Sequence, residues 1–142
     1  MSSQVNCFLI DNDVDDQEIF CLALQEIDPG ITCTIADNGV KALEVINSHS
    51  SYIPTFIFMD LNMPLMNGKQ CLEELRKIDR ISKVPIYIYS TAADPRSIAD
   101  VKQSGATDFI VKPASFKELT ELLATLLQNK TISYETKGMD EN

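Results

Sequence analysis

Phe56-Ile57-Phe58-Met59 is a run of four apolar residues that ends on a carboxylate, Asp60, and the pair Met63-Pro64 stops the extended chain soon after. An apolar run without polar alternation is a strand buried on both faces, which belongs in the middle of a parallel sheet covered by helices. Such a strand would put Asp60 at its carboxyl end, where open α/β sheets place their ligands. The plainer reading is that Asp60 opens a turn. This stretch alone supports both.

The rest of the chain supplies the partners that such a strand requires. Val5 to Ile10 is a first strand running into Asp11-Asn12-Asp13. Val14 to Asp28 follows as a helix, with Phe20, Ala23, Leu24 and Ile27 at helical spacing and Asp13, Asp15 and Asp16 in the first turn, where the helix dipole favours negative charge. Pro29-Gly30 ends it. Ile31 to Ala36 is a second strand, interrupted by polar residues and so nearer an edge. A turn at Asp37-Asn38-Gly39 leads to a helix carrying Val40, Leu43 and Ile46 and reaching about His49. After the central strand, Pro64 to Gly68 is a loop, and Leu72, Leu75 and Ile78 mark a third helix. Pro85 to Tyr89 is a fourth strand ending at Ser90-Thr91. Asp94-Pro95 starts a short helix to about Gly105, and Asp108 to Val111 is a fifth strand ending at Lys112-Pro113. Ser115 with Glu118 forms a capping-box pattern before a helix whose buried stripe is expected to be Phe116, Leu119, Leu122, Leu123 and Leu126. Five strands alternating with five helices predict one α/β domain over 1–130, with a parallel sheet and helices on both faces, and a polar, disordered tail at 131–142.

Charge and cysteine usage narrow the function. Acids outnumber bases 21 to 12, for a formal charge of -9, with no Lys/Arg run. That argues against binding nucleic acid or an anionic membrane surface. Cys7, Cys21, Cys33 and Cys71 lack CxxC spacing and His49 is the only histidine, so a thiol or imidazole metal centre is not expected. The cysteines sit in apolar segments and read as buried free thiols. No signal peptide and no stretch of membrane-spanning length is apparent, which implies a cytoplasmic setting.

The strand ends carry the chemistry. Asp11, Asn12 and Asp13 end the first strand, Asp60 the third, Ser90 and Thr91 the fourth, and Lys112 the fifth. A parallel sheet brings all of them to one edge. Clustered carboxylates repel each other unless a cation joins them. Oxygen ligands of this kind suit Mg²⁺, which takes one or two carboxylates and keeps water and substrate oxygens. A lysine and a hydroxyl beside them suit a phosphoryl group, and a carboxylate can be the nucleophile that receives it.

At this point the chain resembles the response-regulator receiver domains of two-component signalling, in their single-domain, chemotaxis-regulator-like form. The resemblance rests on Leu9-Ile10-Asp11, on Met59-Asp60-Leu61-Asn62-Met63-Pro64-Leu65-Met66-Asn67-Gly68, on Tyr89-Ser90-Thr91-Ala92 and on Phe109-Ile110-Val111-Lys112-Pro113, and spans residues 5 to about 128. It implies a flavodoxin-like, doubly wound five-stranded sheet of order 2-1-3-4-5. It further implies that Asp60 accepts a phosphoryl group, that Asp11 and the position of Asn12 hold Mg²⁺ together with Asp60 and the backbone carbonyl of Asn62, and that Ser90 and Lys112 bind the phosphoryl group. Ser90 and Phe109 would form the switch pair, and Lys112-Pro113 would be cis. The donor would be a sensor histidine kinase or a histidine phosphotransfer protein, and the output surface the fourth helix, fifth strand and fifth helix. With nothing after Ser133 suited to DNA binding or catalysis, a stand-alone receiver is expected.

The pattern is departed from in three places. Asn12 stands where the family has an acid, so Mg²⁺ binding is expected to be weaker. An Asn12 amide can still ligate, and Asp13 is better suited to capping the helix. Phe109 lacks a hydroxyl, so a switch there works by packing. Ala114 follows Lys112-Pro113 where a Phe is common. Two other readings compete. One is a degenerate receiver that binds protein without phosphate, suggested by Asn12. The other is a haloacid-dehalogenase-type phosphatase, suggested by the DxD spacing of Asp11 and Asp13, although Asp15 breaks that motif and the chain leaves no room for a cap domain.

Overall fold

A computed structural model describes residues 5–91 and 94–136, with side chains in the last helix through 128. The strands are β1 (Asn6–Ile10), β2 (Thr32–Ala36), β3 (Phe56–Met59), β4 (Ile86–Ser90) and β5 (Asp108–Val111). The helices are α1 (Val14–Ile27), α2 (Gly39–Ser48), α3 (Gly68–Arg76), α4 (Pro95–Gln103) and α5 (Phe116–Thr136). All strands pair in parallel, in the order β2-β1-β3-β4-β5. This is the doubly wound sheet that the alternation and the resemblance imply.

Strand burial follows position in the sheet. All four residues of β3 are buried, as the unbroken apolar run requires, whereas β2 and β5, the outer strands, are half exposed. Two cores result. On one face Phe20, Ala23 and Leu24 of α1 and Leu119 and Leu123 of α5 pack on Cys7, Leu9, Phe56, Phe58 and Tyr89. On the other, α2, α3 and α4 bring Ala42, Ile46, Leu72, Leu75 and Val101 onto Phe8, Ile10, Ile57, Met59, Ile86 and Ile88. Cys7 and Cys71 are buried and Cys21 and Cys33 half-buried, all as free thiols.

The helix starts are fixed by side-chain caps. Asp13 Oδ1 accepts from the Asp16 N–H at 3.0 Å, Asn38 from Lys41 at 2.9 Å and Asp94 from Ser97 at 2.8 Å. Asn67 and Gln70 form a full capping box on α3, where the sequence showed only a turn signal. Ser115 Oγ accepts from the Glu118 N–H at 3.1 Å, but Glu118 reaches back to the N–H of Ala114, not of Ser115.

Four expectations need correction. Cys21 and Cys33 are half-buried, not buried, and Phe116, in the first turn of α5, is exposed, so the buried stripe of that helix starts at Leu119. Among the described residues there is no cis peptide bond, so Lys112-Pro113 is trans; trans is the favoured isomer of X–Pro by about 0.5–1 kcal/mol, and only the family resemblance spoke for cis. The last helix also continues to Thr136, past the boundary expected at 130. Neither Gly nor Pro interrupts the sequence between Phe116 and Gly138, so nothing local stops the helix there. The remainder of the expected tail, 137–142, lies outside the described residues, as does Ala92 of the Tyr89-Ser90-Thr91-Ala92 stretch.

Candidate functional site

The sheet brings the predicted strand-end residues together. In register, Ile10 of β1 lies beside Met59 of β3, so Asp11 and Asp60 leave adjacent strands at the same level. The Asp60 N–H donates to Ile10 O at 2.9 Å and the Asp11 N–H to Ala36 O at 3.0 Å, fixing both backbones. On the far side, the Lys112 N–H donates to Ser90 O at 2.8 Å, which locks the end of β5 to the end of β4.

The side chains then converge on Asp60. Its Oδ1 accepts from the Ser90 hydroxyl at 3.1 Å and from the Asn62 N–H at 3.3 Å. Its Oδ2 accepts from the Lys112 ammonium at 3.3 Å. All three bonds are at the long end of the range, so the carboxylate is held in place but not tightly gripped. Ser90 is buried, and its hydroxyl faces the Asp60 carboxylate. Phe109 is half-buried against the core under α2, α3 and α4.

Asp11 is fully buried. Its Oδ1 accepts from the Asp13 N–H at 2.9 Å. Its Oδ2 lies 2.9 Å from Lys112 Nζ, an ion pair by distance, yet no donor meets it with hydrogen-bond geometry. Burial raises the Asp11 pKa, opposed by the Asp13 N–H and by Lys112. A buried carboxylate oxygen that has an ion-pair contact but no hydrogen-bond donor, beside a second carboxylate, suits a small divalent cation. Among the described residues no three acids, thiols or imidazoles cluster as a complete metal cage. Two carboxylates without a third protein ligand of that kind suit Mg²⁺, which retains several waters, better than an all-protein cation site.

Lys112 is the hub. Only 10% of its side chain is exposed, and it meets three carboxylates: Asp16 Oδ2 at 2.7 Å, Asp11 Oδ2 at 2.9 Å and Asp60 Oδ2 at 3.3 Å. Burial acts to lower its pKa, but the hydrogen bond to Asp16, the close contact with Asp11 and the charges of Asp11 and Asp60 outweigh it, and the pKa is raised. The ammonium also sits 5.4 Å above the ring of Tyr89, which is itself packed edge-on against Phe20 and Phe58. Gln17 ties the strand ends on the other side, donating to Asp11 O at 2.6 Å and to Asp37 Oδ1 at 3.0 Å.

Asp16, Gln17 and Tyr89 are the site residues that strand-end reasoning missed. For Asp16 a signal exists: it lies one helical turn before Phe20, which is fully buried on the sheet, so its side chain shares the inward face. Asn12 and Asp13 are both exposed. Asp13 is occupied as the α1 cap, so it does not replace the acid missing at Asn12, and the dehalogenase-type reading loses its second acid.

Response regulator receiver domains match residues 7–124 of the chain. This chain belongs to that family. It is 35% identical over 98 residues to the chemotaxis protein CheY of Bacillus subtilis, covering 69% of this chain and 73% of that one. It is 28% identical over 130 residues to the probable transcriptional regulator ycf29 of Porphyra purpurea, covering 90% of this chain but spanning only 59% of that relative's length. In fold it matches the crystal structure of the phosphorylated cyanobacterial phytochrome response regulator RcpA, with a TM-score of 0.81 at 18% identity, over 89% of this chain and 94% of the other. The strand-end stretches from which the resemblance was read, Asp11, Asp60, Ser90 and Lys112 among them, all lie inside the matched span. This receiver has no helix long and apolar enough to cross a membrane among its described residues.

Proposed function

We propose that this receiver accepts a phosphoryl group on Asp60 from a phosphohistidine of a sensor histidine kinase or a histidine phosphotransfer protein. The observation that carries the reading is the setting of the Asp60 carboxylate. It is held on one oxygen by the Ser90 hydroxyl and on the other by the Lys112 ammonium, which also pairs with the buried Oδ2 of Asp11. In the transfer, an Asp60 oxygen forms the new bond to phosphorus while the bond from phosphorus to the histidine ring nitrogen breaks. The electron pair of that bond returns to the imidazole, which takes up a proton from solvent. Lys112 and Ser90 stand where they can donate to oxygens of the incoming group, supplying the charge neutralisation that such transfers depend on. Bound Mg²⁺ would supply the remaining positive charge. Asp11 and Asp60 would hold it, with the Asn62 carbonyl and the amide of Asn12 as further oxygen donors.

Output would follow from repacking around Ser90 and Phe109 and appear on the surface formed by α4, β5 and α5, where a partner protein would read it. Passing the phosphoryl group on to a second phosphotransfer protein is the other outlet.

Amide NMR spectra with beryllofluoride and Mg²⁺ test this. We expect shifts around Asp60, Ser90 and Lys112 that spread to the α4-β5-α5 surface and are abolished in Asp60→Asn. A flat response would favour a degenerate receiver that binds protein without phosphate. Shifts confined to the Asp60 pocket would contradict the proposed output surface.

A further inference from the structure

The shortest contact of Lys112 is not with Asp60. It is with Asp16 on α1, at 2.7 Å against 3.3 Å for Asp60. Both hydrogen bonds have donor geometry, so two of the three ammonium protons are committed, one to each acid. Asp16 can hold this position because its backbone is fixed: its N–H donates to the Asp13 cap at 3.0 Å, in the first turn of a helix whose next inward residue is the buried Phe20. Three carboxylates around one ammonium leave the site with a formal charge of -2. Adding a phosphoryl group to Asp60 brings still more negative charge toward Asp16 and calls on the same ammonium.

We propose that Asp16 is a positioning residue of the phosphoacceptor site, a latch that holds Lys112 toward α1 in the unphosphorylated protein and must yield part of that ammonium when the phosphoryl group arrives. The proposal rests on Asp60 being the acceptor. Asp16 acts through Lys112 and through its own charge. The two effects have opposite consequences for the two ligands. Removing the Asp16 charge frees Lys112 and lowers repulsion, which strengthens binding of the phosphoryl group. The same change makes the pocket less negative, which weakens binding of Mg²⁺. Because 34% of the Asp16 side chain is exposed, both effects should fade with salt.

The test compares native protein, Asp16→Asn and Asp16→Glu, titrating Mg²⁺ alone and then beryllofluoride at saturating Mg²⁺. In Asp16→Asn we expect Mg²⁺ affinity to fall about threefold and beryllofluoride affinity to rise about threefold at low salt, the size of a partly exposed charge pair. Both changes should shrink at high salt, and Asp16→Glu, which keeps the charge, should stay closer to the native protein. A side chain that merely supports the fold would weaken both ligands together, with a lowered thermal midpoint. That result overturns the latch, as does unchanged or weakened beryllofluoride binding. No beryllofluoride response in the native chain would overturn the acceptor reading and the latch together. A native response with an unaltered Asp16→Asn would overturn the latch alone.

Discussion

At the scale of single residues, the site is held together by a charge conflict that the fold alone does not resolve. Asp11 is fully buried with one oxygen lacking a hydrogen-bond donor, and its pKa is raised by burial. A carboxyl whose folded pKa lies above its unfolded value adds stability only below the unfolded pKa, and that contribution is lost as pH rises through the folded pKa. Ionising Asp11 in the metal-free fold is therefore a burden that appears as pH rises through the folded pKa. Asp11→Asn should raise the thermal midpoint of metal-free protein by roughly 3 °C, the shift that about 1 kcal/mol gives in a domain of this size, while abolishing Mg²⁺ binding. A lower midpoint by calorimetry in EDTA would contradict the burden. Asn12 presents the reverse case. It is exposed, so a charge restored there acts through nearly bulk water, where a pair at about 4 Å is worth about 1 kcal/mol. Asn12→Asp should tighten Mg²⁺ about fivefold in a titration followed by fluorescence or NMR. Unchanged affinity would mean that the missing acid costs the site nothing.

At the scale of elements, the close approach of α3 to the β3 end shapes the surroundings of Asp60, the proposed acceptor. The first residue of α3, Gly68, has no room for a side chain: a Cβ there would lie 2.7 Å from Asp60 O and 2.8 Å from Leu61 Cα. Both are backbone atoms and cannot swing away. The Gly68 N–H also donates to Leu61 O at 2.8 Å, binding the helix start to the chain that carries Asn62. Between them the chain turns tightly at Leu65, whose φ of 69° and the Met66 N–H to Pro64 O bond of 2.7 Å define a strained γ-turn. Gly68→Ala should therefore cost about 1–3 kcal/mol in urea unfolding and weaken Mg²⁺ as well, because the displaced segment carries Asp60 and Asn62. A variant with native Mg²⁺ affinity would show that the loop does not set the pocket.

These two scales explain what the sequence could and could not reveal. Asp11, Asp60, Ser90 and Lys112 were legible because strand ends of a parallel sheet converge whatever their side-chain rotamers. Gln17 and Tyr89 were not, since their roles depend on where a side chain swings once helix and sheet have packed. The α3 capping box at Asn67 and Gln70 was hidden behind a turn signal that the same Asn67-Gly68 pair also gives. The peptide before Pro113 was misread because a family habit outweighed the local preference for trans.

At the scale of the whole molecule, the sheet separates two layers with different duties. The α1-α5 layer carries the Asp13 cap and Asp16, which bear on the pocket, while the opposite layer holds Phe109 half-buried against the core under α2, α3 and α4. If Ser90 and Phe109 transmit the state of Asp60, hydrogen exchange in the presence of beryllofluoride and Mg²⁺ should slow in α4 and β5 more than in α2. Uniform slowing of the whole domain would instead indicate simple stabilisation by a bound ligand.

The most direct measurement is the location of the phosphoryl group. Incubated with acetyl phosphate and Mg²⁺, the chain should gain one phosphoryl group by intact mass, chemical trapping and peptide mapping should place it on Asp60, and Asp60→Asn should gain none. A phosphoryl group on Asp11, or native protein left unmodified under conditions that saturate it with Mg²⁺, would contradict Asp60 as the acceptor.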